Sequence, residues 1–133
     1  MAEGNPMTDN KLYFKYTDQF NELWQKAGLT NEHKIDFETA IKTYHLNLPA
    51  NNHGKQFPGA IVPGTGGAFK YRYADSDSNG GKSGSYRTIY FAVHNRTLWF
   101  VGFYGKSDKE SLTDVEKADL LKFSKLLKKG IIK

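Results

Sequence analysis

Lys70 and Arg72 sit one residue apart in an alternating run, Phe69-Lys-Tyr-Arg-Tyr73. In a strand, successive side chains leave opposite faces. The two cations therefore share one face, and Phe69, Tyr71 and Tyr73 share the other. The aromatic face needs burial, which turns the basic face toward solvent. Arg87 opens the next apolar run, and Lys106 and Lys109 follow the end of the run after it. If these runs are neighbouring strands, five cations ring one surface. Taken alone, such a row can be an ordinary solvated sheet face. Like charges repel, however, so gathering them costs energy unless an anion neutralises them. Phosphate is the anion these residue types suit, because an arginine fork holds two phosphate oxygens and keeps its charge. Lys82, within Gly80-Gly-Lys-Ser-Gly84, is a further cation. Tyr86, Tyr90 and Tyr104 lie close in sequence to the basic residues and could stack on a base.

Other chemistries lack their motifs. The Gly64-Thr-Gly-Gly67 and Gly80-Gly-Lys-Ser-Gly84 stretches look like phosphate loops. A Walker A loop needs a glycine five positions before Gly81-Lys82-Ser83, and Ser76 stands there. His33, His45, His53 and His94 show no ligand spacing, so neither a metal nor another cofactor is expected. A Ser/His/Asp triad has no supporting motif. The chain has no cysteine, which excludes a disulfide framework, a thiol nucleophile and thiolate metal sites. Nineteen Lys and Arg against 14 Asp and Glu give a net charge of +5 in 133 residues, and 14% of residues are aromatic. That combination suits nucleic acid better than a metabolite. No apolar run approaches the roughly 20 residues of a membrane span. With no signal-like start either, a cytoplasmic protein without membrane contact is expected.

The elements that position these residues follow from local patterns. Residues 1–10 read as a polar leader, and residues 11–130 as one domain. Residues 12–16 form a short aromatic strand. Thr17 caps a helix carrying Phe20, Leu23, Trp24 and Ala27, and Gly28 stops it. Thr30 caps a second helix with Phe37, Ala40, Ile41 and Tyr44 on one stripe, making a helical hairpin. Residues 47–67 are loop-like, residues 68–74 form the basic strand, and residues 75–85 are a flexible connection. Residues 86–93 and 97–104, apolar on both faces, are central strands of a hairpin turned at His94-Asn-Arg96. Thr113-Asp-Val-Glu116 matches a capping box and opens a last helix that ends at Gly130. Strand, helix, helix, three strands and helix make an α+β layout, with the helical hairpin packed on a mostly antiparallel sheet.

Four segments occur in a familiar order: Val62-Pro-Gly-Thr-Gly-Gly67, Lys70-x-Arg72, Gly84-Ser-Tyr-Arg-Thr-Ile-Tyr90 and Tyr104-Gly-Lys-Ser-Asp-Lys-Glu-Ser-Leu-Thr113. Over residues 12–128 the chain resembles the RelE/HigB family of bacterial toxins, its HigB-like branch in particular. The resemblance implies a RelE-like fold and a toxin that cleaves messenger RNA in the ribosomal A site. It also implies a neutralising antitoxin, a small helix-turn-helix protein like HigA. The family's basic catalytic positions carry over onto Lys70, Arg72, Arg87 and Lys106, and less firmly onto Lys109. Some relatives use a tyrosine or histidine near the C-terminus, and the last helix here has neither.

The mechanism expected on that basis needs no metal. The ribose 2′-OH attacks the adjacent phosphorus, giving a 2′,3′-cyclic phosphate and a 5′-OH. Arg87 stabilises the phosphorane oxygens and Arg72 positions the backbone. Lys70 or Lys106 serves as base or acid, on the argument that crowding by other cations favours a neutral amine. Tyr86, Tyr90 or Tyr104 stacks on a base. Rival readings are a ParE-like inhibitor of DNA gyrase, a catalytically inactive toxin-like binding module, and a basic scaffold.

Overall fold

The computed structural model describes residues 11–46, 57–74, 85–94, 96–105 and 111–132. The elements run β1 (Tyr13–Tyr16), α1 (Asp18–Lys26), α2 (Asn31–Leu46), β2 (Ala60–Ile61), β3 (Phe69–Ala74), β4 (Ser85–Val93), β5 (Thr97–Gly105) and α3 (Asp114–Lys128). One five-stranded sheet has the order β1-β5-β4-β3-β2. Among the described strands, only the β1–β5 pairing is parallel. The fold is α+β, with three helices on a mostly antiparallel sheet. It adds one strand to the sequence reading: Ala60 and Ile61, within the loop-like stretch, pair with Lys70 and Phe69.

The local signals have the physical causes expected of them. Thr17 accepts from the Phe20 N–H at 3.1 Å and starts α1. Gly28, with φ of 82°, takes the left-handed conformation that ends it. Thr30 accepts from the His33 N–H at 3.3 Å, and its own N–H donates to His33 Nδ1 at 2.9 Å. The histidine thus completes a reciprocal cap, a role that metal-ligand spacing could not reveal. Thr113 and Glu116 form the capping box of α3.

The sheet is the middle layer. On one face, Phe20 and Trp24 of α1 and Phe37 and Ile41 of α2 pack on Tyr73, Tyr90, Leu98, Phe100 and Phe103. On the other, α3 brings Leu127 to Ala68, Ile89, Phe91 and Tyr104, with Leu120 and Phe123 beside them. Burial of these side chains contributes roughly 1.5–3 kcal/mol each before the entropy of ordering is counted.

The glycine-rich Val62–Gly67 turn fixes where α3 sits. Thr65 is buried, donates to the Val62 carbonyl at 2.7 Å and accepts from the Ala68 N–H at 3.0 Å. The Gly66 carbonyl accepts from Ser124 of α3 at 3.0 Å. A Cβ on Gly66 would lie 2.6 Å from Ser124 Oγ, and its φ is 78°. Gly66→Ala should therefore lower stability by about 1–3 kcal/mol, through backbone strain and a displaced α3. Chemical denaturation checks this; an unchanged midpoint would show that α3 is not seated by this turn. Gly64, Gly66 and Gly67 all take positive φ, and Gly66 alone is also pressed against Ser124, so backbone conformation and packing account for the turn's glycines.

Among the described residues, no helix is long and apolar enough to cross a membrane. Nor does any group of three or more His, Cys, Asp or Glu among them offer a metal site.

Candidate functional site

The strand pairing converts the one-dimensional spacing of the cations into a cluster. On β3, Lys70 and Arg72 leave the sheet on the α3 face, opposite to Tyr71 and Tyr73. On β4 the same face carries Ser85, Arg87 and Ile89. The antiparallel register sets Arg72 directly opposite Arg87, Ala74 opposite Ser85, and Lys70 opposite Ile89. Across the other edge of β4, Arg87 faces Tyr104 of β5. Arg72, Arg87 and Tyr104 thus form one transverse row over three strands, with Lys70 two residues along.

One hydroxyl ties the row together. Ser85 Oγ accepts from Arg72 Nε at 3.0 Å and from Arg87 Nη1 at 3.1 Å. Like charges directly opposite in a sheet are destabilising, by roughly 0.2–1 kcal/mol. Here two guanidinium groups share one acceptor, with Arg72 exposed and Arg87 half-buried. Each guanidinium has five N–H donors, so most of each fork is left for an anion at the surface.

Tyr104 forms the inner end of the row and is 7% exposed. Burial pushes its hydroxyl above the ordinary phenol value, Arg87 pulls it back, and Glu116 adds to the rise. The net direction is upward, so the group stays a neutral hydroxyl at physiological pH. Beyond it lies a cleft of about 420 Å³ between β5, the first turns of α1 and the first half of α3, lined by Thr17, Leu23, Tyr104, Leu112, Glu116 and Asp119 among others. The cleft's lining holds Glu116 and Asp119 and none of the row's cations, so the capacity to hold a phosphodiester lies with the guanidinium groups of the row itself.

A family model for the RelE toxin of the RelE/RelB toxin–antitoxin system matches residues 63–131, more than half of the 133 residues. The chain belongs to the RelE toxin family. No curated protein matches it. The matched stretch holds β3, β4, β5 and α3, the elements that carry the basic row. Membership makes the protein a toxin whose counterpart is an antitoxin.

In this RelE-family toxin three of the expected cations, Lys70, Arg72 and Arg87, share one face of the sheet, two of them in the row. Lys106, Lys109 and Lys82 lie outside the described residues, as do His53, the leader and the Gly80–Gly84 loop. All three tyrosine assignments as base-stacking residues need correction. Tyr90 is fully buried on the opposite face, between Phe69 and Phe100 at centroid distances of 5.1 and 5.0 Å. Its hydroxyl donates to the Pro58 carbonyl at 2.5 Å. Tyr86 is half-buried on that same face, stacked on Phe103 at 5.0 Å. Neither ring can meet a base held at Arg87, because even-numbered positions of β4 point away from it up to the bulge after Ile89, and Tyr90 keeps that face. Tyr104 shares the cationic face but is buried with Ile89, Phe91 and Leu127, so it does not offer its ring to a base either.

Two participants were missed by the residue reading. Ser85 looked like part of a flexible connection, yet it has the same strand parity as Arg87, which is the signal that could have found it. Glu116 was recognised only as a helix cap; nothing in sequence spacing relates it to Tyr104.

Proposed function

We propose that this toxin is a messenger-RNA endoribonuclease of the HigB-like branch, acting in the cytoplasm on mRNA in the ribosomal A site as a single domain. Its antitoxin is a HigA-like helix-turn-helix protein. The observation that carries the nuclease reading is the directly opposed Arg72–Arg87 pair held on one serine hydroxyl. Two fixed positive forks at the uncovered end of one sheet face, Arg72 exposed and Arg87 half-buried, suit the phosphorane of an RNA cleavage, whose charge spreads over its equatorial oxygens.

In the proposed reaction the ribose 2′-OH attacks phosphorus in line with the departing 5′-oxygen. Arg87 holds the non-bridging oxygens, because its partner Tyr104 closes the inner side and leaves the outer side for the scissile phosphate. Arg72, one strand outward, holds the same or the preceding phosphate. The 2′-OH proton passes to Lys70 or Lys106, and the other lysine protonates the leaving oxygen. Tyr104, neutral and with its hydroxyl buried, closes the inner side of the row. The products are a 2′,3′-cyclic phosphate and a 5′-OH.

A single substitution in the substrate tests the chemistry. Ribosomes programmed with an mRNA carrying 2′-deoxyribose at the cut nucleotide should leave that message intact. The all-ribose message should be cut to a 5′-OH fragment. Cleavage of the deoxy message, or a 5′-phosphate end, would rule the mechanism out.

A further inference from the structure

Ser85 opens β4 and is 2% exposed. A buried hydroxyl has two lone pairs to fill. Both are filled by charged donors, Arg72 Nε at 3.0 Å from one strand and Arg87 Nη1 at 3.1 Å from its own. A guanidinium on a long side chain samples many rotamers, and two of them directly opposite repel. Without a shared acceptor they would splay apart. With one, each is held by a charge-assisted bond that leaves its other N–H donors for an anion.

We propose that Ser85 is the positioning residue of the site: it locks Arg72 and Arg87 into one anion-holding geometry before substrate arrives. The proposal rests on the nuclease reading for its effect on rate and on the hydrogen bonds alone for its effect on geometry. Preorganised donors act mainly in the transition state, so loosening them lowers the chemical step more than substrate capture. Ser85→Ala removes only the hydroxyl. Ser85→Thr restores it with a side chain suited to a strand.

The test uses the full chain and these two variants. Single-turnover cleavage on saturating programmed ribosomes should slow about tenfold in Ser85→Ala, with KM within about twofold of wild type. Ser85→Thr should recover most of the rate, and all three proteins should melt within a few degrees of one another. In parallel, the Arg72 Nε–H resonance should be sharp and exchange-protected in wild type and broadened in Ser85→Ala. Inorganic sulfate should perturb the arginine signals of wild type at lower concentration than those of Ser85→Ala. Wild-type rate in Ser85→Ala, a loss confined to KM or to folded fraction, or unchanged arginine resonances would overturn the proposal. If wild type cuts no RNA, the nuclease reading falls, and the resonance and sulfate arms still decide whether Ser85 holds the two arginines.

Discussion

Arg87→Ala should abolish growth arrest while the protein stays folded and still binds its antitoxin. Arg87 lies at the centre of the row, opposite Arg72 on one side and Tyr104 on the other. Losing a charge-assisted contact to the transition state typically costs about 3–4 kcal/mol, or roughly 100- to 1,000-fold in rate. The fold should not suffer, because the guanidinium is half-buried, bonds to a hydroxyl and stands against a like charge. Removing it even relieves repulsion with Arg72. Arg87→Lys should recover little, since a point charge cannot hold two oxygens in one plane. Growth curves with matched expression, together with a melting profile, check this. Equal arrest by wild type and a folded Arg87→Ala protein would move the site elsewhere.

Phe100→Ala should act in the opposite way, destroying the fold rather than the chemistry. Phe100 is fully buried where β1 and β4 flank β5. Its ring lies 5.0–5.6 Å from those of Tyr90, Phe37, Tyr16 and Phe20. Truncating a buried phenylalanine costs about 3–5 kcal/mol, and domains of this size are stable by only about 5–15 kcal/mol. An unfolding free energy lowered by that amount, with Phe100→Leu recovering most of it, is the expected result. A loss below about 1 kcal/mol would mean that the aromatic cluster does not hold the helical hairpin to the sheet. Because soluble protein also falls, Phe100→Ala should lose toxicity through abundance, which separates it from Arg87→Ala.

The parts legible in the sequence were those decided by neighbours along the chain. Thr17, Gly28, Thr30 and the Thr113–Glu116 box mark helix ends because caps act within one turn. The Lys70-x-Arg72 alternation told which side chains share a face, because strand parity is local. The cross-strand register was not legible. That Arg72 meets Arg87, and that Ser85 lies between them, depends on pairing across 11 to 15 positions of chain, which no short pattern specifies. The three tyrosines are misread for a different reason. Residue type alone suggests stacking, whereas strand parity puts Tyr86 and Tyr90 on the other face and burial closes off Tyr104. On α3, apolar residues occupy more than one side, so the pattern could not tell that Leu127 and Ser124 turn inward while Val115 stays 71% exposed. The contact of Ser124 with the Gly66 turn decides it.

The most direct test of the nuclease claim is to map RNA 5′ ends in cells shortly after the toxin is induced, with Arg87→Ala alongside. New 5′-OH ends within translated messages, in phase with codons and missing from the variant, are the predicted result. Chromosome breaks typical of a poisoned gyrase with intact messages, or the same ends from Arg87→Ala, would contradict it.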